Sequence, residues 1–332
     1  MRDLLMGAIV LLCICACSND LDIATEAPQR PIIYCLMDPA DSVYQVSVSR
    51  TFLLEGNVLN RLGQSESIYP QEIVIILEGW QKQFKIWESK FEPTDGLKEF
   101  GSFPVGPGTI YTTAQVLKVN DSSRIVAPYD KIDRFRLIVR VPGDTMTYFA
   151  EGTPLKPITV YKPLKNYKNI SLYGEEPSDL MIRLDSKVHY YVDIRFNVHY
   201  DEYIDDWEPA ISSFIYRKHL ALTNDTIRIP LPEDQFLPKL ANSIPDKPQV
   251  YSRRFRSIDI IFLAADKNFR DYINSYENAS DRDVTLWGNF TNTMGLFSLA
   301  SSVVRTGYVF DSSTMDSLCT GRFTKNLRFN RW

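Results

Sequence analysis

The densest concentration of groups able to do chemistry is the stretch 200–208, YDEYIDDWE, where Tyr200, Tyr203 and Trp207 interleave with Asp201, Glu202, Asp205, Asp206 and Glu208. Carboxylates at this density could ligate a hard cation such as Ca²⁺, and aromatic faces could meet the apolar side of a ligand such as a sugar ring. Tyr200, Asp201, Tyr203, Asp205, Asp206 and Trp207 therefore form the candidate ligand patch. The glycine-containing spacing of an EF-hand is absent, and a charged turn at the end of a long strand accounts for the same residues. No cofactor and no metal ligand set is assigned.

Other reactive side chains are sparse. The chain has 3 histidines. Of His189, His199 and His219, the first two stand roughly 33 Å apart along one strand, too far to share an ion, while His199 and Asp201, two apart, read either as a pair able to reach one ion or as a solvated strand end. Arg253, Arg254 and Arg256 read either as a fork for a carboxylate or phosphate or as protection of a strand edge. The G-x-S-x-G elbow, the H-E-x-x-H helix, the phosphate-binding glycine loops and C-x-x-C are all missing, so the chain is expected not to be an enzyme. Paired carboxylates for glycoside hydrolysis can lie far apart in sequence, which keeps a carbohydrate-active hydrolase as one alternative and a surface adhesin or structural protein as another.

The 5 cysteines divide by position. Cys13, Cys15 and Cys17 sit in or at the end of an N-terminal stretch with Arg2 before an apolar run over 4–16. That run is shorter than the roughly 20 apolar residues a membrane span needs, and it reads as a secretory signal. Ala16-Cys17 resembles a bacterial lipobox, which implies diacylation of the Cys17 thiol and cleavage before it. Residues 1–16 are then the signal peptide and 17–30 the lipidated cysteine with a polar tether. Cys35 and Cys319 remain, either as buried thiols or as a disulfide joining the ends of the chain.

These groups must be positioned by strands. Apolar residues make up 44% and charged residues 23% of 332, an ordinary globular composition. The net charge of −4 offers no basic footprint for nucleic acid. Short alternating runs occur at 31–36, 43–50, 72–79, 80–87, 133–141 and 146–150, with Asp38-Pro39 and Pro142-Gly143 as turns and Gly79 as a bend. The period of two over 188–201 predicts a long half-buried strand, with Val188, Tyr190, Val192, Ile194, Phe196, Val198 and Tyr200 on one face. Further strands are expected at 226–231 and 251–264. Pro232 opens a helix over 233–241, and Asp266 caps another that places Phe269, Tyr272, Ile273 and Tyr276 on one face. The fold class is mainly β, with two β-sandwich-like domains: 31–162, Ig-like or transthyretin-like, and 163–332, carrying one or two short helices.

Residues 34–50, the sequence RFRLIVRVPGDTMTYFAEGTPLKPITV over 134–160 with Tyr148, Ala150 and Pro154, and LWGNFTNTMGLFSLASS over 286–302 with Gly295 and Phe297 carry a resemblance. They look like a family of Bacteroidota lipoproteins catalogued as domain of unknown function 4249. The chain departs from it at Met294, where the family often has a second glycine. The resemblance implies a lipid-anchored protein of the outer membrane, periplasmic or surface-exposed. It also implies a non-catalytic binding or accessory role beside a TonB-dependent outer-membrane receptor.

Overall fold

The computed structural model describes residues 30–39, 41–50, 73–94, 109–114, 129–173, 177–218, 225–278 and 288–331. The chain is mainly β. The first strands are β1 (Pro31–Met37), β2 (Tyr44–Arg50), β3 (Val74–Gln81), β4 (Phe84–Thr94), β5 (Thr109–Thr113), β6 (Arg134–Arg140) and β7 (Thr147–Gly152). The remainder comprises β8 (Thr159–Lys162), β9 (Asn169–Ile170), β10 (Asp179–Arg183), β11 (Tyr191–Tyr203), β12 (Trp207–Lys218), β13 (Thr226–Pro230), helix α1 (Glu233–Ser243), β14 (Ser252–Ala265), α2 (Lys267–Asn278), β15 (Met294–Phe310), α3 (Ser312–Thr320) and β16 (Phe329–Asn330).

Among the described residues one sheet runs in the order β12-β11-β14-β15-β1-β2-β5-β4-β3-β6-β7, and a second has the order β13-β10-β8. The long sheet coils, so that β7 meets β15 again: a Cβ on Gly152 would stand 2.1 Å from Leu299 Cδ2. Alternation explains what it encloses. Ile33, Val46, Leu77, Phe135 and Leu137 point inward from successive strands into a first core. A second core lies between the β12-β11-β14-β15 face, the three-stranded sheet and helices α1 and α3, with Phe196, Ile182, Phe236 and Leu318 among its members.

The chain leaves the first core at Leu155 and joins the second at Ile158. The polar segment after Pro163, expected at the boundary of two domains, contributes β9, which pairs in parallel with Val309 and Phe310 of β15 in the long sheet. The crossing in the other direction is larger. β15 pairs in parallel with β1 from Met294 to Leu299, then antiparallel with β14 from Ala300 to Tyr308. Phe297 and Leu299 of this late strand fill the first core. Both faces of β15 are covered there, because Leu296 and Ala300 pack with Phe269 and Tyr272 of α2. A strand buried on both sides loses its alternation, which is why GLFSLASS reads as a continuous run.

Gly295 makes the junction possible. It sits at φ +129, and a Cβ would stand 1.9 Å from the Ile33 carbonyl oxygen. Gly79 is not the bend: β3 runs past it, and the chain reverses at Lys82, which takes φ 54. A further departure is α3, capped by Asp311 Oδ1 accepting from Thr314 N at 2.9 Å. Its short, polar sequence SSTMDSLCT carries little helical periodicity.

Candidate functional site at the distal hairpin

β11 and β12 form a hairpin whose register runs from Asp193↔Lys218 to Tyr203↔Trp207. The unbroken alternation of β11 drives its even positions into the second core, and pairing with β14 on the other side holds the register. The turn at 204–206 is closed by Asp206, whose Oδ1 accepts from Trp207 N at 2.8 Å. Tyr203 and Trp207, directly opposite across the last pair, bring their ring centroids to 5.1 Å at 42°.

A third ring arrives from elsewhere in the chain. Tyr251 ends the loop before β14, its backbone N donating to Tyr203 O at 2.9 Å, and its ring lies 6.5 Å from that of Tyr203 at 56°. The exposures are 37% for Tyr203, 42% for Trp207 and 69% for Tyr251. Asp205 and Asp206 in the turn between the first two rings are exposed, as are Glu208 and Arg254. No local signal at 251 announces this; pairing of Tyr203 with Ser252 brings it there.

Beneath the rings lies a buried ion cluster. Arg253, 2% exposed, donates from Nε and Nη2 to Glu202 Oε1 at 3.0 and 2.9 Å. Its remaining donors go to Leu327 O at 2.8 Å and Pro245 O at 2.9 Å, and Lys247 Nζ meets Glu202 Oε2 at 2.5 Å. Burial pushes the Glu202 carboxyl up, but the hydrogen bonds from Lys247 and Arg253 outweigh it and hold it below its ordinary value. Arg328 binds the Pro248 and Val250 carbonyls. The loop that carries Tyr251 is thus held along its length.

Two members of the sequence-derived patch do not belong to the surface. Tyr200 is buried, with its hydroxyl 3.0 Å from Ser212 Oγ and its ring edge-on to Phe329 at 5.8 Å. Asp201 is buried as well and accepts from Arg256 Nε at 2.7 Å. The pleat accounts for Tyr200, which an even position turns inward, and a cation consumes Asp201. Tyr203, Asp205, Asp206 and Trp207 stay together at the tip.

The other candidates resolve into structural roles. His199 Nε2 lies 2.9 Å from Asp259 Oδ2 across neighbouring strands. His189 is buried, its ring nitrogens 3.0 Å from the Asp185 and Lys156 carbonyls, and burial lowers its pKa. His219 falls outside the described residues. β14, which carries Arg253, Arg254 and Arg256, is an inner strand, and beside Arg253 and Arg254 it is covered by β11 on one side and β16 on the other, so these two arginines protect no edge. Cys35 and Cys319 are not bridged but free. Cys35 belongs to the first core, where burial pushes its thiol up to about 12. Cys319 packs against the second core, and two thiols assigned to separate cores have no shared approach. Cys17 lies outside the described residues, among which no group of three or more His, Cys, Asp or Glu is arranged for a metal ion. No described helix is long and apolar enough to cross a membrane.

A cleft of about 350 Å³ opens at the junction of the cores, lined in part by Arg134, Glu151, Lys187, Tyr190 and Asp266. Its carboxylates are engaged. Glu151 lies 2.6 Å from Arg136 Nη2. Asp266 accepts from Phe269 N and Leu299 N, both at 3.1 Å, and from Ser298 Oγ at 2.6 Å.

No protein-family model matches the chain, and no curated protein does. Among solved structures it is similar to the C-terminal globular domain of an oligosaccharyltransferase from Pyrococcus abyssi, at 12% identity over 70% of this chain and 46% of that one, with a TM-score of 0.23. It is also similar to a DUF4785 family protein from Legionella pneumophila, at 9% identity over 70% and 52% of the two chains, with a TM-score of 0.20. The chain thus spans about half the length of these structures, and likenesses this low carry no functional argument.

Proposed function

We propose that this chain is a lipid-anchored lipoprotein of the family catalogued as domain of unknown function 4249, its first body an Ig-like or transthyretin-like sandwich. It acts as a non-catalytic binding or accessory subunit at the outer membrane, beside a TonB-dependent receptor. Acylation of Cys17 supplies the anchor, each buried CH₂ contributing about 0.8 kcal/mol. One observation supports the reading above the rest: the chain emerges from the body at the end opposite the aromatic tip. Arg30 Nη1 donates to Asn292 O at 3.1 Å and β1 begins beside Met294. β15 then runs 17 residues, roughly 55 Å at 3.3 Å per residue. Because Ile258 pairs with Tyr308, the start of β14 and the hairpin tip project beyond its far end. A body tethered at 30 therefore presents Tyr203, Trp207 and Tyr251 away from its anchor.

The test is a crosslinked pull-down of the tagged chain from native outer membranes beside a Cys17→Ala version. Enrichment of a receptor barrel with the lipidated form alone is the expected result. Membrane association unchanged by Cys17→Ala would refute the anchor, and lipidation without any receptor would refute the subunit role. The adhesin alternative keeps one observation of its own: β12 ends the long sheet and exposes Ile211 and Ile215, and an unpaired edge can template another strand. Light scattering of the purified chain decides it, since an adhesin of this kind self-associates.

A further inference from the structure

We infer that the distal tip is a stacking platform for a neutral oligosaccharide. This deepens the reading of the tip as the ligand-contacting end of the molecule and rests on it. Trp207 and Tyr251 each lie against the ring of Tyr203, and all three rings, from three backbone segments, keep more than a third of their surface in water. A pyranose ring has the matching anatomy, with an apolar C–H face that stacks on an aromatic ring and a rim of hydroxyls that needs hydrogen-bond partners. The rings are inclined by 42° and 56° to their neighbours, so the surface is faceted and follows successive sugar rings of a twisted chain better than one flat ligand.

The rim supplies the polar partners. Asp205 and Asp206 are exposed in the turn between Tyr203 and Trp207; a carboxylate accepts from vicinal hydroxyls, and Arg254, also exposed, donates to sugar oxygens. Charge selects within the class. Asp201, Glu202, Asp205, Asp206 and Glu208 are matched by Lys247, Arg253, Arg254, Arg256 and Arg328, so the tip offers no excess of positive charge to hold a uronic acid polymer, a phosphate or an anionic lipid headgroup, and an uncharged glycan needs none. The platform is also rigid before anything binds. The Glu202–Arg253–Lys247 cluster lies directly beneath it, and the Tyr251 backbone is hydrogen-bonded to Tyr203. Little ordering entropy is left to lose on binding.

The experiment is titration calorimetry of the full-length chain in detergent with cellohexaose, mannohexaose and maltohexaose, and with trigalacturonic acid as the charged counterpart. Binding of at least one neutral hexasaccharide is expected. Trp207→Ala and Tyr251→Ala should each weaken it about tenfold, the loss of one stacking contact. Trp207→Phe should retain most of the affinity, and Phe84→Ala, which removes a ring 74% exposed at the β3–β4 turn, should change nothing. Thermal melts of the variants separate lost binding from lost folding. Absence of binding by all three neutral probes, binding indifferent to Trp207→Ala, or preference for trigalacturonic acid each overturns the inference. Receptor pull-down with Trp207→Ala keeps its failure distinct from failure of the function proposed above. If the receptor still co-purifies while no saccharide binds, the subunit reading stands alone; if the variant loses the receptor instead, the tip is a protein contact.

Discussion

At the base of the β14–β15 ribbon the buried carboxylate of Asp266 is held by neutral donors, whereas at its distal end the buried carboxylate of Glu202 is held by Arg253 and Lys247. Desolvation is the leading influence on both. It wins at Asp266, where hydrogen bonds from Ser298, Leu299 and Phe269 only moderate it and the pKa is raised. It loses at Glu202, where cations reverse the direction. Burial alone does not decide the charge state of an acid; the charge of its partners does. The two ends differ in purpose accordingly. The base closes a junction in which Phe269 and Tyr272 are packed, and the distal end uses an ionic floor to hold rings in water.

Breaking each end separately sharpens this contrast, beginning with the base. Gly295→Ala forces a Cβ against the Ile33 carbonyl at a backbone angle reserved for glycine. It should cost more than about 4 kcal/mol, a size that single substitutions reach only exceptionally. Urea unfolding checks it, and a variant that still joins β1 to β15 at near-native stability contradicts the geometry.

At the distal end Glu202→Ala strands Arg253 without its acid, and a loss of about 3 to 4 kcal/mol is expected for a broken buried pair. Replacing both, as Glu202→Leu with Arg253→Met, should recover part of the loss. No recovery in that double-mutant cycle would mean that Arg253 acts mainly through its bonds to the Leu327 and Pro245 carbonyls.

Acid titration of stability separates the two carboxylates by sign. The Glu202 pKa is lower folded than unfolded, so its contribution is present above the unfolded value and disappears as pH falls through the folded one. The Asp266 pKa is higher folded than unfolded, so its ionisation subtracts stability once pH exceeds the unfolded value, and that penalty is relieved as pH falls. Unfolding free energies measured from neutral pH down through the carboxylate range should therefore decline less steeply for Glu202→Gln than for the parent, and more steeply for Asp266→Asn. Identical changes of slope would erase the contrast.

The smallest effect belongs to the ring above the ionic floor. Trp207→Ala should move stability by no more than about 0.5 kcal/mol, as for an ordinary surface position. A larger loss in the same unfolding assay would make the ring part of the distal fold rather than a surface carried by it.

Much of the strand framework was legible before any tertiary information. Alternation over β11, the apolar segment of β1, the Pro142-Gly143 turn and the Asp266 cap are local patterns, each set by a period of two, a turn residue or an orphan helix donor. The third helix escaped because its short, polar sequence has too few apolar positions to display a period. The candidate site was half legible. Tyr203 and Trp207 stand out in one acidic, aromatic run, but only β12 makes them cross-strand neighbours, and the same run included Tyr200 and Asp201, which the pleat and Arg256 take out of the surface.

By itself, the order of residues determined a chain of short strands, a long strand ending in a turn of acids and rings, and helices with defined starts, because those features depend on neighbours a few positions apart. Only the tertiary structure decided that β15 serves both cores, that Tyr251 completes the ring cluster, that Arg253 turns inward to Glu202, and that Cys35 and Cys319 stay apart. Each of these depends on strand pairing between distant segments, and pairing is chosen by burial summed over whole faces rather than by any residue's immediate sequence.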